Sequence, residues 1–139
     1  MKKAIVTFDF DNTLSRQSVQ QYALELMSRE VDVWVLTSRY DELHKHRYEP
    51  NPTNDDLWEV VEGLGIPRWR VRFTCREPKA NYLKGTEVAC HIEDDTNEFM
   101  EARKIKSNVP MIFVDSFDWK DQCEFYITNK SKKHEDSID

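Results

Sequence analysis

The sequence predicts an α/β fold in which a mainly parallel sheet lies between two layers of helices. Short apolar, β-rich runs alternate with segments whose apolar residues recur at helical spacing, a pattern typical of successive strand–helix–strand units. Parallel strands joined in this way carry helices on both faces of the sheet, which gives three layers, α/β/α. Only three glycines occur and none belongs to a glycine-rich phosphate loop. The sequence therefore lacks the main motif of the dinucleotide-binding and P-loop classes.

The first half of the chain contributes two strands and two helices. Residues 4–10 are an apolar, β-rich run and predict the first strand. Residues 18–29 carry an apolar stripe at helical spacing, and residues 31–36 are a β-branched, apolar run typical of a buried strand. Residues 54–63 predict a helix, because aspartates occupy its first turn, one face is apolar and Gly65 follows its end.

The second half repeats this alternation. Its predicted elements are strands at residues 69–74, 87–92 and 109–114 and helices at residues 78–84 and 96–106. Pro78 suits the first turn of its helix, where proline is tolerated. Residues 124–128 predict a further edge strand, and the polar residues 129–139 predict a flexible tail. A single domain, residues 1–128, holds all of these elements.

Composition and charge exclude several classes of protein. Hydrophobic residues make up 39% of the 139 residues and charged residues 33%, which is typical of a globular protein. A net charge of −6 argues against an extended nucleic-acid-binding surface. No apolar run is long enough to span a membrane. The cysteine count is odd and no metal-binding cysteine spacing occurs, so we expect reduced thiols and a cytoplasmic location.

The strongest functional signal is the pair of aspartates that ends the first predicted strand. A buried strand has no structural need for two carboxylates, and removing them from water is costly unless a cation lies nearby. Asp9 and Asp11 are two residues apart, so strand geometry allows both to face one point. Asn12 suits a sharp exit from the strand because it tolerates left-handed backbone angles. This pattern predicts a carboxylate nucleophile beside a carboxylic acid, with a divalent cation.

Ligands of open parallel sheets bind at the carboxyl ends of the strands, and further reactive residues follow the other predicted strands. Asp9-Phe10-Asp11-Asn12-Thr13 resembles the first motif of the haloacid dehalogenase-like (HAD) phosphatases, DxDx(T/V) after an apolar strand. The other features of that family follow in the required order: Thr37, Lys79 and the acidic run Glu93-Asp94-Asp95. The resemblance covers roughly residues 4–115 and implies a Rossmann-like, HAD-like sheet.

The resemblance also implies a role for each catalytic residue. Asp9 corresponds to the nucleophile that forms an aspartyl-phosphate. Asp11 corresponds to the general acid/base, which needs a proton near neutral pH while Asp9 is ionised. Thr37 would hold a phosphoryl oxygen, and Lys79 would neutralise the charge of the nucleophile and the phosphoryl group. Lys84, on the same short helix, is the alternative to Lys79.

The cofactor implied by the resemblance is Mg²⁺, a hard cation that prefers oxygen ligands. The implied protein ligands are Asp9, the carbonyl of Asp11, Asp94 and Asp95. Glu93 and Glu98 remain alternatives to Asp95 as the helper of Asp94. The resulting chemistry is Mg²⁺-dependent hydrolysis of phosphomonoesters.

The substrate side of the site is less specified. The expected phosphate-binding residues are Thr37, Ser38, Arg39 and Lys79, although Arg39 is equally well read as a solvated loop charge. The loop 39–52 combines aromatic, cationic and histidine residues, including His44 and His46, and is the candidate reader of the substrate. A solvated loop is the alternative.

The motif spacing leaves no room for a cap domain. Asp11 and Thr37 are separated by 25 residues, and Thr37 and Lys79 by 41, which the predicted elements already occupy. The family resemblance then implies an open cleft that accepts a phosphorylated small molecule or a phosphate on a macromolecule, including nucleotides and nucleic-acid ends, or that uses a neighbouring subunit of a homo-oligomer as a lid. A phosphotransferase and a non-catalytic binding protein remain the alternative functions.

Overall fold

The computed structural model describes residues 3–44 and 53–138, with side chains described as far as Asn129. The strands are β1 (Ile5–Phe8), β2 (Asp32–Thr37), β3 (Val71–Phe73), β4 (Cys90–Glu93) and β5 (Met111–Phe113). The helices are α1 (Gln17–Ser28), α2 (Asp55–Leu64), α3 (Ala80–Leu83), α4 (Thr96–Lys104) and α5 (Trp119–Ile138).

The five strands form one parallel sheet in the order β3-β2-β1-β4-β5. The predicted α/β class and the parallel sheet are therefore confirmed. In the centre of the sheet, Phe8 of β1 pairs with Val35 of β2 and with Ile92 of β4. The chain runs outward from β1 to β3 and then crosses back to β4, so the strand order reverses between β1 and β4. Ligands of such sheets bind in the crevice at this reversal, beyond the carboxyl ends of the strands.

Side chains that alternate along the strands build a core on each face of the sheet. Val6 and Phe8 of β1 belong to the larger apolar cluster, to which α1, α2 and α5 also contribute buried side chains. On the opposite face, Leu36 of β2 packs with Leu83 of α3 and with Val109. Helices therefore flank both faces, which satisfies the burial that a parallel sheet requires.

The first strand ends earlier than the sequence predicts. β1 stops at Phe8, and residues Phe10–Leu14 form a wide turn in which the Leu14 amide donates to the carbonyl of Asp9 at 3.0 Å. Asn12 has φ 59°, the left-handed conformation expected of it. The turn sends the chain away from the sheet and leaves Asp9 at the strand end.

The predicted edge strand at residues 124–128 is wrong, because this segment lies inside α5. Its aromatic and β-branched residues favour a strand locally, but Cys123 and Ile127, four residues apart, are both buried in the larger core. Packing of one helical face has therefore overridden local propensity. The backbone of α5 also continues to Ile138, through most of the predicted tail. Among the described helices, none has the length and apolarity needed to cross a bilayer.

Candidate functional site

Asp9 lies in the crevice between the ends of β1 and β4. Its amide donates to the carbonyl of Ile92 at 2.9 Å, which attaches the end of β1 to β4. The wide turn after β1 brings Thr13 back, and the Thr13 hydroxyl donates to Asp9 Oδ2 at 3.1 Å. Only 4% of the surface of Asp9 is exposed. The predicted nucleophile is thus buried and oriented by its own turn.

Lys79 supplies a buried cation directly opposite Asp9. Its Nζ lies 2.5 Å from Asp9 Oδ1 and 2.7 Å from Glu93 Oε1. A third carboxylate, that of Glu98, lies 3.9 Å away and also accepts the Lys79 amide at 3.3 Å. The ammonium is therefore surrounded by three acidic side chains, and the predicted pairing of Lys79 with Asp9 is present in the structure.

Glu93 connects this cluster to a chain of two further polar side chains, those of His91 in β4 and Thr7 in β1. Its Oε2 accepts the amides of Asp94 at 3.2 Å and Asp95 at 3.1 Å. Its Oε1 lies 2.8 Å from His91 Nε2, and His91 Nδ1 lies 2.6 Å from the Thr7 hydroxyl. His91 and Glu93 are both fully buried, so these contacts satisfy groups that water does not reach.

The two buried carboxyls next to Lys79 have opposite pKa shifts. Burial raises the pKa of Asp9 to about 9, since the negative charge of Glu93 adds to an effect that Lys79 only partly offsets. Burial also acts to raise the pKa of Glu93, but the hydrogen bond from His91 and the charge of Lys79 outweigh it and lower the pKa to about 2. Glu93 is therefore the carboxyl whose pKa direction favours the charge opposite Lys79. The raised pKa of Asp9 favours its protonated form, which is the reverse of the expected order, in which Asp9 is ionised and Asp11 holds the proton.

The acidic side chains form a set suited to a hard cation. Carboxylate oxygens of Asp9, Glu93 and Asp94 all lie within 4.8 Å of one another. Oxygen-only donors of this kind suit Mg²⁺ better than a soft metal. Asp95 lies outside this group, and its Oδ1 instead accepts the Asn97 amide at 2.9 Å and caps α4. Among the described acidic residues, Glu93 and not Asp95 therefore completes this group with Asp9 and Asp94.

Asp11 is paired with a different cation, Arg39. Nε and Nη2 of Arg39 lie 3.0 Å from Oδ2 and 2.7 Å from Oδ1 of Asp11. The same guanidinium makes two 2.8 Å bonds to Asp56 and lies 5.0 Å from the centre of the Phe10 ring. The side chain of Arg39 is 17% exposed whereas that of Asp11 is 52% exposed. Arg39 is thus a held, largely buried cation at the rim of the site rather than a solvated loop charge.

Thr37 and Ser38 lie at the end of β2, beside Arg39. The side-chain oxygen of Thr37 is fully buried in the structure and accepts the Arg39 amide at 3.3 Å. The carbonyls of Thr37 and Ser38 accept the amides of Thr74 at 2.8 Å and Arg76 at 2.9 Å. These bonds join the segments that follow β2 and β3 and set the start of the predicted substrate loop.

The described part of that loop is attached to α2. Glu42 Oε1 accepts the Trp58 indole N–H at 2.7 Å, and Asn54 Nδ2 donates to the Tyr40 carbonyl at 3.1 Å. His44 lies 2.7 Å from Asp41, between Nδ1 and Oδ1. Residues 45–52, with His46, lie outside the described part of the chain, so the role predicted for the whole loop stays a prediction.

Sequence reasoning missed the buried chain formed by Thr7, His91 and Glu93. A usable signal was present in the alternation of β4, where His91 and Glu93 face the same side although the strand is fully buried. The register places His91 opposite Thr7 of β1. Polar residues that face one another between central strands need partners, and this need points to the chain that the structure contains.

The chain matches no protein-family model, no curated protein and no solved structure. The functional assignment therefore rests on the residues of this chain and on their geometry.

Proposed function

We propose that this protein is a Mg²⁺-dependent phosphomonoester hydrolase of the HAD type that works through an aspartyl-phosphate on Asp9. One observation carries the proposal: Asp9 is buried at the strand reversal, 2.5 Å from the buried ammonium of Lys79, with the carboxylates of Glu93 and Asp94 beside it. A structural ion pair needs one acid for one lysine. The excess of buried acid supports a site that takes up further positive charge.

In the proposed reaction, an Asp9 oxygen attacks phosphorus while the bond from phosphorus to the ester oxygen breaks. The leaving oxygen takes a proton from Asp11, whose carboxyl group must first be released from the Arg39 guanidinium that binds both of its oxygens in the structure. Water then attacks phosphorus and returns a proton to Asp11, while the bond from phosphorus to the Asp9 oxygen breaks. This second step releases inorganic phosphate and restores the Asp9 carboxylate. Lys79 balances charge on Asp9 and on the phosphoryl group throughout. Splitting one slow displacement into two steps is the purpose of the covalent intermediate.

The residues fit a divalent cation. Asp9, Glu93 and Asp94 would hold it, with the Asp11 carbonyl and Asp95 as the further ligands that the family resemblance implies. When bound, Mg²⁺ would screen the repulsion between the carboxylate nucleophile and an anionic phosphate. Because the pKa of Asp9 is raised to about 9 by burial and by Glu93, uptake of the cation at neutral pH is coupled to loss of the Asp9 proton.

Arg39 supports phosphate recognition at the same site. Its fork is shared between Asp11 and the more exposed Asp56, whose side chain is 65% exposed. A phosphate dianion is a bidentate acceptor of the same kind as a carboxylate. The proposal is that substrate phosphate takes the place of Asp56 on Arg39, with Thr37, Ser38 and Lys79 holding its other oxygens. The phosphate would be that of a nucleotide, a nucleic-acid end or another open, accessible ester.

The direct test is phosphate release from p-nitrophenyl phosphate, nucleoside monophosphates and end-phosphorylated oligonucleotides, with Mg²⁺ and with a chelator. Asp9→Asn removes the nucleophile with little change in volume, and Asp121→Asn, at an exposed position of α5, is the matched control. Metal-dependent release that Asp9→Asn abolishes and Asp121→Asn retains is the expected result. Full release by Asp9→Asn would overturn the mechanism. Phosphate delivered to an added alcohol instead of water would identify the phosphotransferase alternative.

A further inference from the structure

We propose that Asp41, His44 and Cys75 form a second metal site, distinct from the acidic cluster at Asp9, and that this site binds Zn²⁺. A carboxylate oxygen, an imidazole nitrogen and a thiol sulfur from these residues lie within 4.8 Å of one another. Cys75 is a free cysteine. The three donors come from two segments far apart in sequence, one after β2 and one after β3.

Backbone hydrogen bonds join the two segments and hold the donor residues close together. The Thr74 amide donates to the Thr37 carbonyl at 2.8 Å, and the Cys75 amide donates to the Arg39 carbonyl at 3.2 Å. Cys75 adopts φ 52°, a left-handed conformation that non-glycine residues seldom hold without support. The backbone of Cys75 is thus fixed beside the segment that carries Asp41 and His44.

The donor types select the metal. A thiolate and an imidazole suit Zn²⁺, whereas Mg²⁺ prefers oxygen ligands and would not be expected to take a sulfur. Ligand atoms about 2.0–2.3 Å from a tetrahedral Zn²⁺ are about 3.3–3.8 Å apart. The three donor atoms lie within 4.8 Å of one another, but His44 Nδ1 is hydrogen-bonded to Asp41 Oδ1 at 2.7 Å, so Zn²⁺ would have to replace this bond and move the two atoms further apart by about 0.6 Å or more. The His44 side chain, which is 63% exposed, has room to rotate. Three protein donors leave one position for water or another ligand.

The consequence for the molecule is a cross-link near the candidate active site. Asp41 and His44 lie just beyond Arg39, at the start of the predicted substrate loop, and Cys75 lies just beyond β3. A bound Zn²⁺ would tie that loop to the sheet without using Asp9, Glu93 or Asp94. The inference does not depend on phosphatase activity, and its test does not measure activity.

The experiment uses the full chain, kept reduced with a phosphine and held in excess Mg²⁺ so that the acidic cluster is occupied. Zn²⁺ binding is titrated by calorimetry, and Co²⁺ is used as a spectroscopic probe for thiolate ligation. We expect one equivalent of Zn²⁺ and a thiolate-to-cobalt charge-transfer band. Loss of residues that merely orient a ligand costs about 10–100-fold in metal affinity, so Cys75→Ser and His44→Gln should each weaken Zn²⁺ binding by at least about 100-fold.

Two controls locate the site. Cys123→Ser changes a buried thiol of α5, and Asp94→Asn removes a member of the acidic cluster; both should keep the Zn²⁺ affinity and the cobalt band. Absence of Zn²⁺ binding in excess Mg²⁺, absence of the thiolate band, or equal binding by Cys75→Ser and the unaltered chain would each overturn the proposal. Absence of Zn²⁺ binding or of the thiolate band in the unaltered chain overturns the proposal whether or not any variant folds, and the variants assign the band to Cys75.

Discussion

The guanidinium of Arg39 binds both carboxylate oxygens of Asp11, at 3.0 and 2.7 Å. The two residues are 28 positions apart and meet because β1 and β2 are adjacent parallel strands whose carboxyl ends lie together. Asp56 binds the same guanidinium from α2. The cation expected to bind substrate phosphate is therefore already held in place by two acids, of which Asp56 is the more exposed, at 65% against 52% for Asp11. Such a held cation loses little freedom when an anion replaces Asp56.

Replacement of Arg39 by lysine should lower kcat/KM for phosphomonoesters by about tenfold or more. Lysine keeps the charge but loses the planar fork, and a charge-assisted hydrogen bond contributes about 1.5–3 kcal/mol, of which about 1.4 kcal/mol corresponds to a factor of ten in rate. Steady-state kinetics of Arg39→Lys check this. Arg68→Lys is the matched control, since Arg68 also pairs with an acid, Glu62 at 2.6 Å, but at an exposed site on the surface. Equal kinetics for the two variants would refute the role of Arg39.

Asp56→Asn should separate phosphate binding from folding. The Arg39 guanidinium holds the pKa of Asp56 down at about 2, but the pair is exposed on the Asp56 side, so we expect a stability change below about 1 kcal/mol. In the substrate-replacement scheme, the neutral amide that this substitution introduces competes less well with phosphate for Arg39, and KM should fall. An increase in KM in Asp56→Asn would show that Asp56 positions Arg39 instead of yielding to the substrate.

Lys79→Met should destabilise the metal-free protein strongly. The substitution leaves the buried charge of Glu93 without its cation, and removing one partner of a buried ion pair costs about 3–5 kcal/mol. The measurement is urea unfolding in chelator. Mg²⁺ should restore part of the loss, because a ligand that binds only the folded state stabilises it.

The control for Lys79→Met is Lys84→Met. Lys84 follows α3 at an exposed position, and its replacement should change the free energy of unfolding by less than about 0.5 kcal/mol. This comparison also tests whether the buried acids depend on the charge of Lys79 and not on that of Lys84, the alternative in the sequence analysis. If Lys79→Met were as stable as the unaltered chain in chelator, the buried cluster would not be held together by charge.

The sheet was predictable where its strands are largely buried and mainly apolar, as in β1 and β2. The second strand, for example, was predicted at residues 31–36, and β2 spans Asp32–Thr37, one position later at each end. The segment 124–128 was not predictable in this way, because its local composition favours a strand, whereas in the structure it lies in a helix whose Cys123 and Ile127 are buried in the core. That information lies in tertiary contacts, which no short window of sequence contains.

The site residues likewise fall into those that the sequence predicts and those that depend on tertiary contacts. Asp9 was predictable because it follows a buried apolar strand, and Lys79 because the family resemblance implies a lysine at the start of the helix that became α3. His91 was not, since a histidine inside an apolar run is uninformative until the register places it opposite Thr7. The pairing of Asp11 with Arg39 likewise depends on strand order. Sequence patterns locate charged residues, but the order of the strands decides which of them meet.

The raised pKa of Asp9 predicts that the metal-free protein loses stability as the pH rises. Burial and the charge of Glu93 raise this pKa from 3.8 to about 9, so between these values the folded state binds a proton that the unfolded state does not. The stabilising effect of the proton is therefore complete below pH 3.8 and is lost as the pH rises through about 9. Asp9→Asn lacks this titration.

The measurement is the free energy of unfolding in chelator from about pH 6.5 to 8.5, a window above the ordinary histidine pKa, taken as the difference between the unaltered chain and Asp9→Asn. As the pH rises, the free energy of unfolding of the unaltered chain should fall steadily relative to that of Asp9→Asn. Over the same range the apparent Mg²⁺ affinity of the unaltered chain should increase, since the cation replaces the proton. A difference that is independent of pH would mean that Asp9 is ionised throughout, paired with Lys79.

Thr7 and His91 should be energetically coupled. His91 Nδ1 lies 2.6 Å from the Thr7 hydroxyl and both side chains are buried, so Thr7→Val and His91→Leu each leave a buried polar partner unsatisfied, at a cost of about 1–3 kcal/mol. The double variant removes both polar groups together and should be more stable than the sum of the single effects predicts, with a coupling of about 0.5–3 kcal/mol. Urea unfolding of the four proteins measures this coupling.

The control cycle combines His91→Leu with Ser28→Ala, whose exposed hydroxyl bonds only within α1; these two effects should add to within about 0.5 kcal/mol. His91 shares Oε1 of Glu93 with Lys79, at 2.8 and 2.7 Å. His91→Leu should therefore weaken Mg²⁺ binding as well, because one of the bonds that orient Glu93 is lost, whereas Thr7→Val should do so to a smaller extent. If the effects of Thr7→Val and His91→Leu on the free energy of unfolding were additive, and if His91→Leu left the Mg²⁺ affinity unchanged, the buried side chains of Thr7 and His91 would contribute packing only.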